Sequence, residues 1–92
     1  MVRRVEIARR ATKQLRKVPQ HIRLNLMVWV TAVEFDGLEV VRKAPGYHDE
    51  PLKGARAGQR SIRLSRSYRA IYEVKRGAVQ FVSVEEVSKH DY

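Results

Sequence analysis
Three runs with strand-like patterning, Gln59 to Ser65, Tyr68 to Lys75 and Ala78 to about Glu86, follow one another with almost no chain between them. The first gap is Arg66-Ser67 and the second centres on Arg76-Gly77, where glycine can supply a positive φ. Gaps this short permit a hairpin, whereas a crossover to a parallel strand needs about a dozen residues or more. Consecutive runs should therefore be antiparallel neighbours in one sheet.

Upstream the texture is helical. Residues 2–7, with Val2, Val5 and Ile7, suit a short strand or a first helical turn, and periodicity does not decide. From Ala8 to Lys17, the apolar residues Ala8, Ala11, Leu15 and Val18 recur at helical spacing, with Arg9, Arg10, Lys13 and Arg16 on the wet side. Pro19 ends this helix and suits the start of the next, about Gln20 to Phe35. There Ile22, Leu26, Trp29, Val30 and Val33 form a broad apolar stripe, closed by Asp36-Gly37, and Trp29 reads as core. A short third helix over Leu38 to Lys43 fits. Pro45, Gly46, Pro51, Gly54 and Gly58 then punctuate a loop of roughly fifteen residues, long enough to suggest function. With 92 residues, the chain is expected to form a single domain over residues 1–92. The expected class is α+β, an N-terminal helical pair packed on one face of a small antiparallel β-sheet.

That arrangement leaves the other face open. Ile62 and Leu64 alternate with Ser61, Arg63 and Ser65, so one face is greasy and the other small, polar and basic. If Tyr68, Ala70, Tyr72 and Val74 pack inward, Arg69 shares the open face with Arg63 and the two could grip one phosphate. Nineteen Lys and Arg against ten Asp and Glu leave a net charge of +9, which favours a polyanionic partner over a merely solvated basic surface or an acidic protein face. No cysteine occurs, so disulfides, thiol catalysis and Cys-ligated metals are excluded. Leu26 to Val33, the longest apolar run, is far short of the ~20 residues of a membrane span, and charged residues interrupt every N-terminal apolar stretch. No membrane association and no signal peptide are expected; the cytoplasm is the expected location.

The tail reads Ser88-Lys89-His90-Asp91-Tyr92. In an extended segment His90 and Tyr92 point one way and Asp91 the other. Beside a basic sheet face, His90 and Tyr92 look like proton-transfer groups near a phosphate, since His titrates near neutrality and nearby cations favour phenolate. A frayed polar tail is the plain alternative.

Pro51-Leu52-Lys53-Gly54, Arg60-Ser61-Ile62-Arg63-Leu64-Ser65, Tyr68-Arg69-Ala70-Ile71-Tyr72 and the closing His90-Asp91-Tyr92, in that order in a basic chain, resemble the RelE/HigB family of toxin–antitoxin endoribonucleases. The resemblance spans nearly the whole chain. It implies metal-independent cleavage of mRNA in the ribosomal A site with the substrate's 2′-hydroxyl as nucleophile, no cofactor, and as partners mRNA, ribosomal RNA and a cognate antitoxin. It places Lys53, Arg69, His90 and Tyr92 as candidate catalytic residues, with Glu50, Arg60, Arg63 and Asp91 as substrate contacts. Lys53, Arg63 and Arg69 would stabilise charge growing on phosphorus; Tyr92, His90 or Glu50 would serve as base, and His90 or an arginine as acid. The sequence departs from the HigB-like loop at Glu50, where relatives often carry His, with His48 two residues earlier. His48-Asp49-Glu50 reads as a solvated turn rather than a metal site. ParE-like toxins, which inhibit DNA gyrase without cutting RNA, resemble the same scaffold; a helix-turn-helix module is a third reading, weakened by the apolar second helix.

Overall fold
In the computed structural model, which describes residues 1–89, two further strands join the three expected ones. The order along the chain is β1 (Val5–Ile7), α1 (Arg9–Leu15), α2 (Gln20–Asp36), α3 (Leu38–Val41), β2 (Glu50–Pro51), β3 (Gln59–Arg63), β4 (Tyr68–Lys75) and β5 (Phe81–Lys89). His90, Asp91 and Tyr92, and the roles expected of them, lie outside the described residues.

The strands order as β1-β5-β4-β3-β2. As the short gaps require, β3–β4 and β4–β5 are antiparallel, with Arg63 opposite Arg69 and Tyr68 opposite Lys89. The sheet is not wholly antiparallel, however. β1 joins β5 in parallel, Val5 opposite Val82 and Ile7 opposite Val84, because the intervening helices and strands provide the long return that a parallel neighbour needs. At the other edge, Glu50 and Pro51 pair with Ser61 and Arg60, so part of the expected loop is a two-residue edge strand.

Ile62, Ala70, Tyr72, Val82, Val84 and Val87 line the inner face and are buried against Ile22, Leu26, Trp29 and Val33 of α2. Trp29 and Tyr72 pack with ring centroids 5.1 Å apart at 45°, a tilted aromatic pair at the centre of the core. Between Ile71 and Tyr72 the register slips: Ile71 opposes Glu86 and Tyr72 opposes Val84, leaving Glu85 as an extra residue. This bulge turns Val87 inward while Glu86 and Ser88 face out. It also leaves the Val87 N–H unsatisfied by β1, which ends its pairing at Val84; the Gln14 side-chain oxygen of α1 accepts that N–H at 2.7 Å. So α2 covers the inner face, and α1 also closes the edge of β5.

Gly37 ends α2 at φ 87°, and a Cβ there would stand 2.5 Å from the Met1 side chain. The positive φ favours glycine here, whereas the exposed Met1 side chain could move aside.

Replacing Trp29 with Ala should cost about 3–5 kcal/mol, the range for truncating a large core aromatic. Phe35→Ala, on the exposed side of α2, should stay within about 0.5 kcal/mol of wild type. Urea unfolding followed by circular dichroism reads both.

Candidate active site
The site begins with two adjacent acidic residues sent in opposite directions. His48 adopts a left-handed backbone, φ 46°, a conformation His tolerates better than most residues, and turns the chain into β2. Asp49 then points under the sheet and Glu50 over it. The Asp49 carboxylate is fully buried. Its Oδ1 accepts the Arg60 Nε at 2.5 Å and its Oδ2 accepts the Tyr72 hydroxyl at 2.5 Å. Burial, then the bond to Asp49, pushes the Tyr72 phenol well above its usual pKa, although the neighbouring Arg42 guanidinium pulls the other way. At Arg60, burial opposes the charge, but the Asp49 carboxylate outweighs it and the net shift is upward.

One expectation is corrected here. The His48-Asp49-Glu50 stretch is not a solvated turn, because Asp49 is an anchor inside the fold. Arg60, a substrate contact by resemblance, shares the inner face with Ile62, two residues along β3, and spends its Nε on Asp49.

On the open face, Glu50 lies opposite Ser61 in the ladder, and both border a cleft of about 370 Å³. Arg69 donates Nη1 to the Ser61 hydroxyl at 3.3 Å, and the same nitrogen is 4.0 Å from Glu50 Oε1. The Glu50 side chain is 63% exposed and that of Arg69 20%, so this is a loose, solvent-screened ion pair. Across the ladder through Ile71 stands Glu86, whose carboxylate is bracketed by Arg10 of α1 at 2.8 Å and Arg56 at 3.4 Å. Arg56 is oriented by donating Nε to Gln59 Oε1 at 3.0 Å. Ser88 borders the same cleft, as do the apolar side chains of Pro51, Leu52 and Ile71.

The expected residues are thus only partly brought together. Glu50 and Arg69 meet. Lys53 is exposed, next to Leu52 at the start of a 3-10 turn (Gly54–Arg56), and does not line the cleft. Arg63 stands opposite Arg69 in the ladder and also borders a second recess of about 310 Å³ with Asn25, Tyr47 and Leu64. Glu86, Arg56 and Arg10 were not anticipated. Nothing local marks the bulge that turns Glu86 outward, and Arg56 lies in a loop whose course depends on what it packs against. Among the described residues, no group of three His, Asp or Glu side chains is placed to hold a metal ion.

Chemically, the cleft offers two guanidinium groups and two carboxylates around a water-accessible space. A phosphate entering it would compete with Glu50 for Arg69, accepting two parallel hydrogen bonds where Glu50 makes a single long contact. That exchange leaves the Glu50 carboxylate free beside the bound group, where it can accept a proton.

No protein-family model matches the chain, and no curated protein matches it in sequence. Solved structures do. A chain of the archaeal RelE–RelB complex from Pyrococcus horikoshii superposes with a TM-score of 0.70 at 21% identity, over 97% of this chain and 96% of that one. The YoeB/ParE toxin from Agrobacterium tumefaciens gives 0.69 at 18% identity, over 96% and 99% of the two chains. A chain of the E. coli DinJ–YafQ toxin–antitoxin complex gives 0.68 at 20%, over 97% and 94%. The protein has the RelE/ParE-like toxin fold. At these identities the likeness is one of architecture.

The Asp49 network carries a pH signature. Tyr72 is protonated in the fold, with its pKa raised above the unfolded value of about 10, so its stabilisation is complete below that value and is lost as pH rises through the folded pKa. Tyr72→Phe should cost about 1.5–3 kcal/mol, the range for a hydrogen bond to a charged group. The gap from wild type should be constant between about pH 6 and 9 and shrink above about pH 10. Denaturant titrations of both proteins across pH measure it.

Proposed function
We propose that this protein is the toxin of a toxin–antitoxin pair and an endoribonuclease that cuts mRNA in the cytoplasm, associated with the ribosome and without a metal cofactor. The observation that carries the reading is Glu50 beside Arg69 in an open cleft on the uncovered sheet face. Removing the proton of a 2′-hydroxyl needs a base, and a pentacoordinate phosphorus needs cations held ready for its extra charge. The RelE/ParE-like fold and the resemblance of the PLKG loop and the Tyr68-Arg69 pair support the same chemistry.

In this mechanism Glu50 takes the 2′-hydroxyl proton and the 2′-oxygen attacks the adjacent phosphorus. The bond from phosphorus to the 5′-oxygen breaks, the departing oxygen is protonated, and the products are a 2′,3′-cyclic phosphate and a 5′-hydroxyl. Arg69 and Arg56 balance the charge on the non-bridging oxygens. Lys53 and Arg63 hold the flanking strand, and the tail residues His90, Asp91 and Tyr92 complete the site, with His90 or an arginine as the acid. Arg60 acts through Asp49, which fixes the chain segment carrying Glu50. The antitoxin covers the apolar outer face of α2, where Leu24, Met27 and Val28 are exposed side by side.

Expression without the antitoxin should arrest growth, with translation failing before DNA synthesis. Loss of DNA synthesis with intact mRNA would move the assignment to gyrase inhibition. In a cleavage assay on programmed ribosomes, Arg69→Ala should lower the rate ~10²–10³-fold, as for removal of a preorganised donor. Arg69→Lys should rescue only in part, because an ammonium cannot present a planar fork. Glu50→Gln should cost ~10²–10⁴-fold. Tyr92→Phe separates proton transfer, which the hydroxyl is needed for, from stacking on a base. Arg9→Ala, on the outer side of α1, should change little; an effect equal to that of Arg69→Ala would assign the activity to basic charge in general and remove the named site.

A further inference from the structure
The sheet has a second charged recess on its other side. It measures about 380 Å³ and lies on the inner face at the end where β3 begins and β4 ends. Arg42, at the end of α3, Arg60 of β3 and Arg76, just beyond β4, all border it. Among the described residues no acidic one borders it, and Asp49, the partner of Arg60, has both carboxylate oxygens engaged. Arg42 lies against the Tyr72 hydroxyl and Arg60 against Asp49, yet each keeps nitrogens without a partner among the described residues. Arg42 Nε is buried with no hydrogen-bond partner. Arg60 spends Nε and Nη2 on Asp49, which leaves Nη1 without a partner among the described residues. Arg76 is exposed and forms no ion pair among the described residues. A buried donor without an acceptor is costly to keep, and with Asp49 matching Arg60 alone, Arg42 and Arg76 leave the recess with an excess of positive charge.

One residue connects this recess to the cleft: Pro51 of the edge strand β2 borders both. A single chain leaving the cleft over that short edge arrives at the three arginines. We propose that the recess is a second phosphate site, which takes a backbone phosphate of the same RNA strand whose scissile phosphate lies by Arg69. The inference rests on the ribonuclease reading for the identity of the strand. The donors reach the recess from three separate elements, and the tetrahedral oxygens of a phosphate can meet them from several directions, which a planar carboxylate does less well. A strand of regularly spaced phosphates is also the partner able to fill both sites at once.

The test uses the full chain and RNA whose 2′-hydroxyls are all methylated, so that it binds but cannot be cut. Binding of a trinucleotide and of a twelve-nucleotide strand is measured as a function of salt for wild type, Arg76→Ala and Arg9→Ala. Loss of one phosphate contact reduces the salt slope by about 0.7 for a single strand. Arg76→Ala should show that reduction and roughly tenfold weaker binding with the longer strand, and no change with the trinucleotide; Arg9→Ala should match wild type on both. Slopes equal to wild type in Arg76→Ala, while the long strand still binds, overturn the site and leave the ribonuclease reading standing. Arg76-dependent binding of inorganic phosphate or of polyglutamate, with an unchanged RNA slope, also overturns it and makes the recess a free-anion site or an acidic-peptide site. An Arg76-dependent slope in a protein that cuts no RNA on ribosomes supports the site and overturns the ribonuclease reading instead.

Discussion
The bond between Tyr72 and Asp49 fastens the segment before β2 to the middle of the sheet. An ionised carboxylate removed from water is costly, and it is kept only when hydrogen-bonded donors and a counter-charge replace the lost hydration. Tyr72 supplies a hydroxyl from the middle of β4 and Arg60 supplies the cation from β3. The ring that carries that hydroxyl packs on Trp29 of α2. The helix core, the sheet and the loop before β2 are therefore fastened at one point. Because Glu50 is the next residue, the anchor also sets one wall of the cleft.

The cleft contrasts with the protein around it. The chain carries a net charge of +9, yet the cleft sets Arg56 and Arg69 against Glu50 and Glu86. Long-range attraction of a polyanion is a property of the whole surface, which leaves the cleft free to hold groups of both signs. A purely basic cleft would bind phosphate more strongly but would contain no carboxylate to take a proton. The uneven holding of the two glutamates fits such a division: Glu86 is buried between two arginines, whereas Glu50 is exposed and only loosely paired.

The bulge at Glu85 shows how one extra residue shapes the site. With regular alternation Glu86 would share the inward direction of Val82 and Val84, a carboxylate directed into the apolar core. The slip sends Val87 inward and puts Glu86 in the cleft. It also exposes the N–H that Gln14 accepts, so the same irregularity positions α1 and, with it, Arg10 against Glu86.

The sequence by itself determined what depends on near neighbours. The spacing of Ile22, Leu26, Trp29 and Val33 makes a helix with one buried face, the gaps at Arg66-Ser67 and Arg76-Gly77 make antiparallel hairpins, and Gly37 stops α2. The open polar face with Arg69 on it follows from the same two-residue alternation. Tertiary structure alone decided what depends on distant partners. The 2–7 segment became a strand because β5 offers it an edge, and the sheet gained a parallel neighbour that local patterning cannot announce. Asp49 and Glu50 are adjacent acids with the same local character. One became a buried anchor and the other a cleft residue because Tyr72 and Arg60 stand on one side of β2 and Ser61 and Arg69 on the other. Arg60, Arg63 and Arg69 are equally basic in the sequence, but the pleat sets Arg60 on the inner face beside Asp49, whereas the register sets Arg63 and Arg69 opposite each other on the open one.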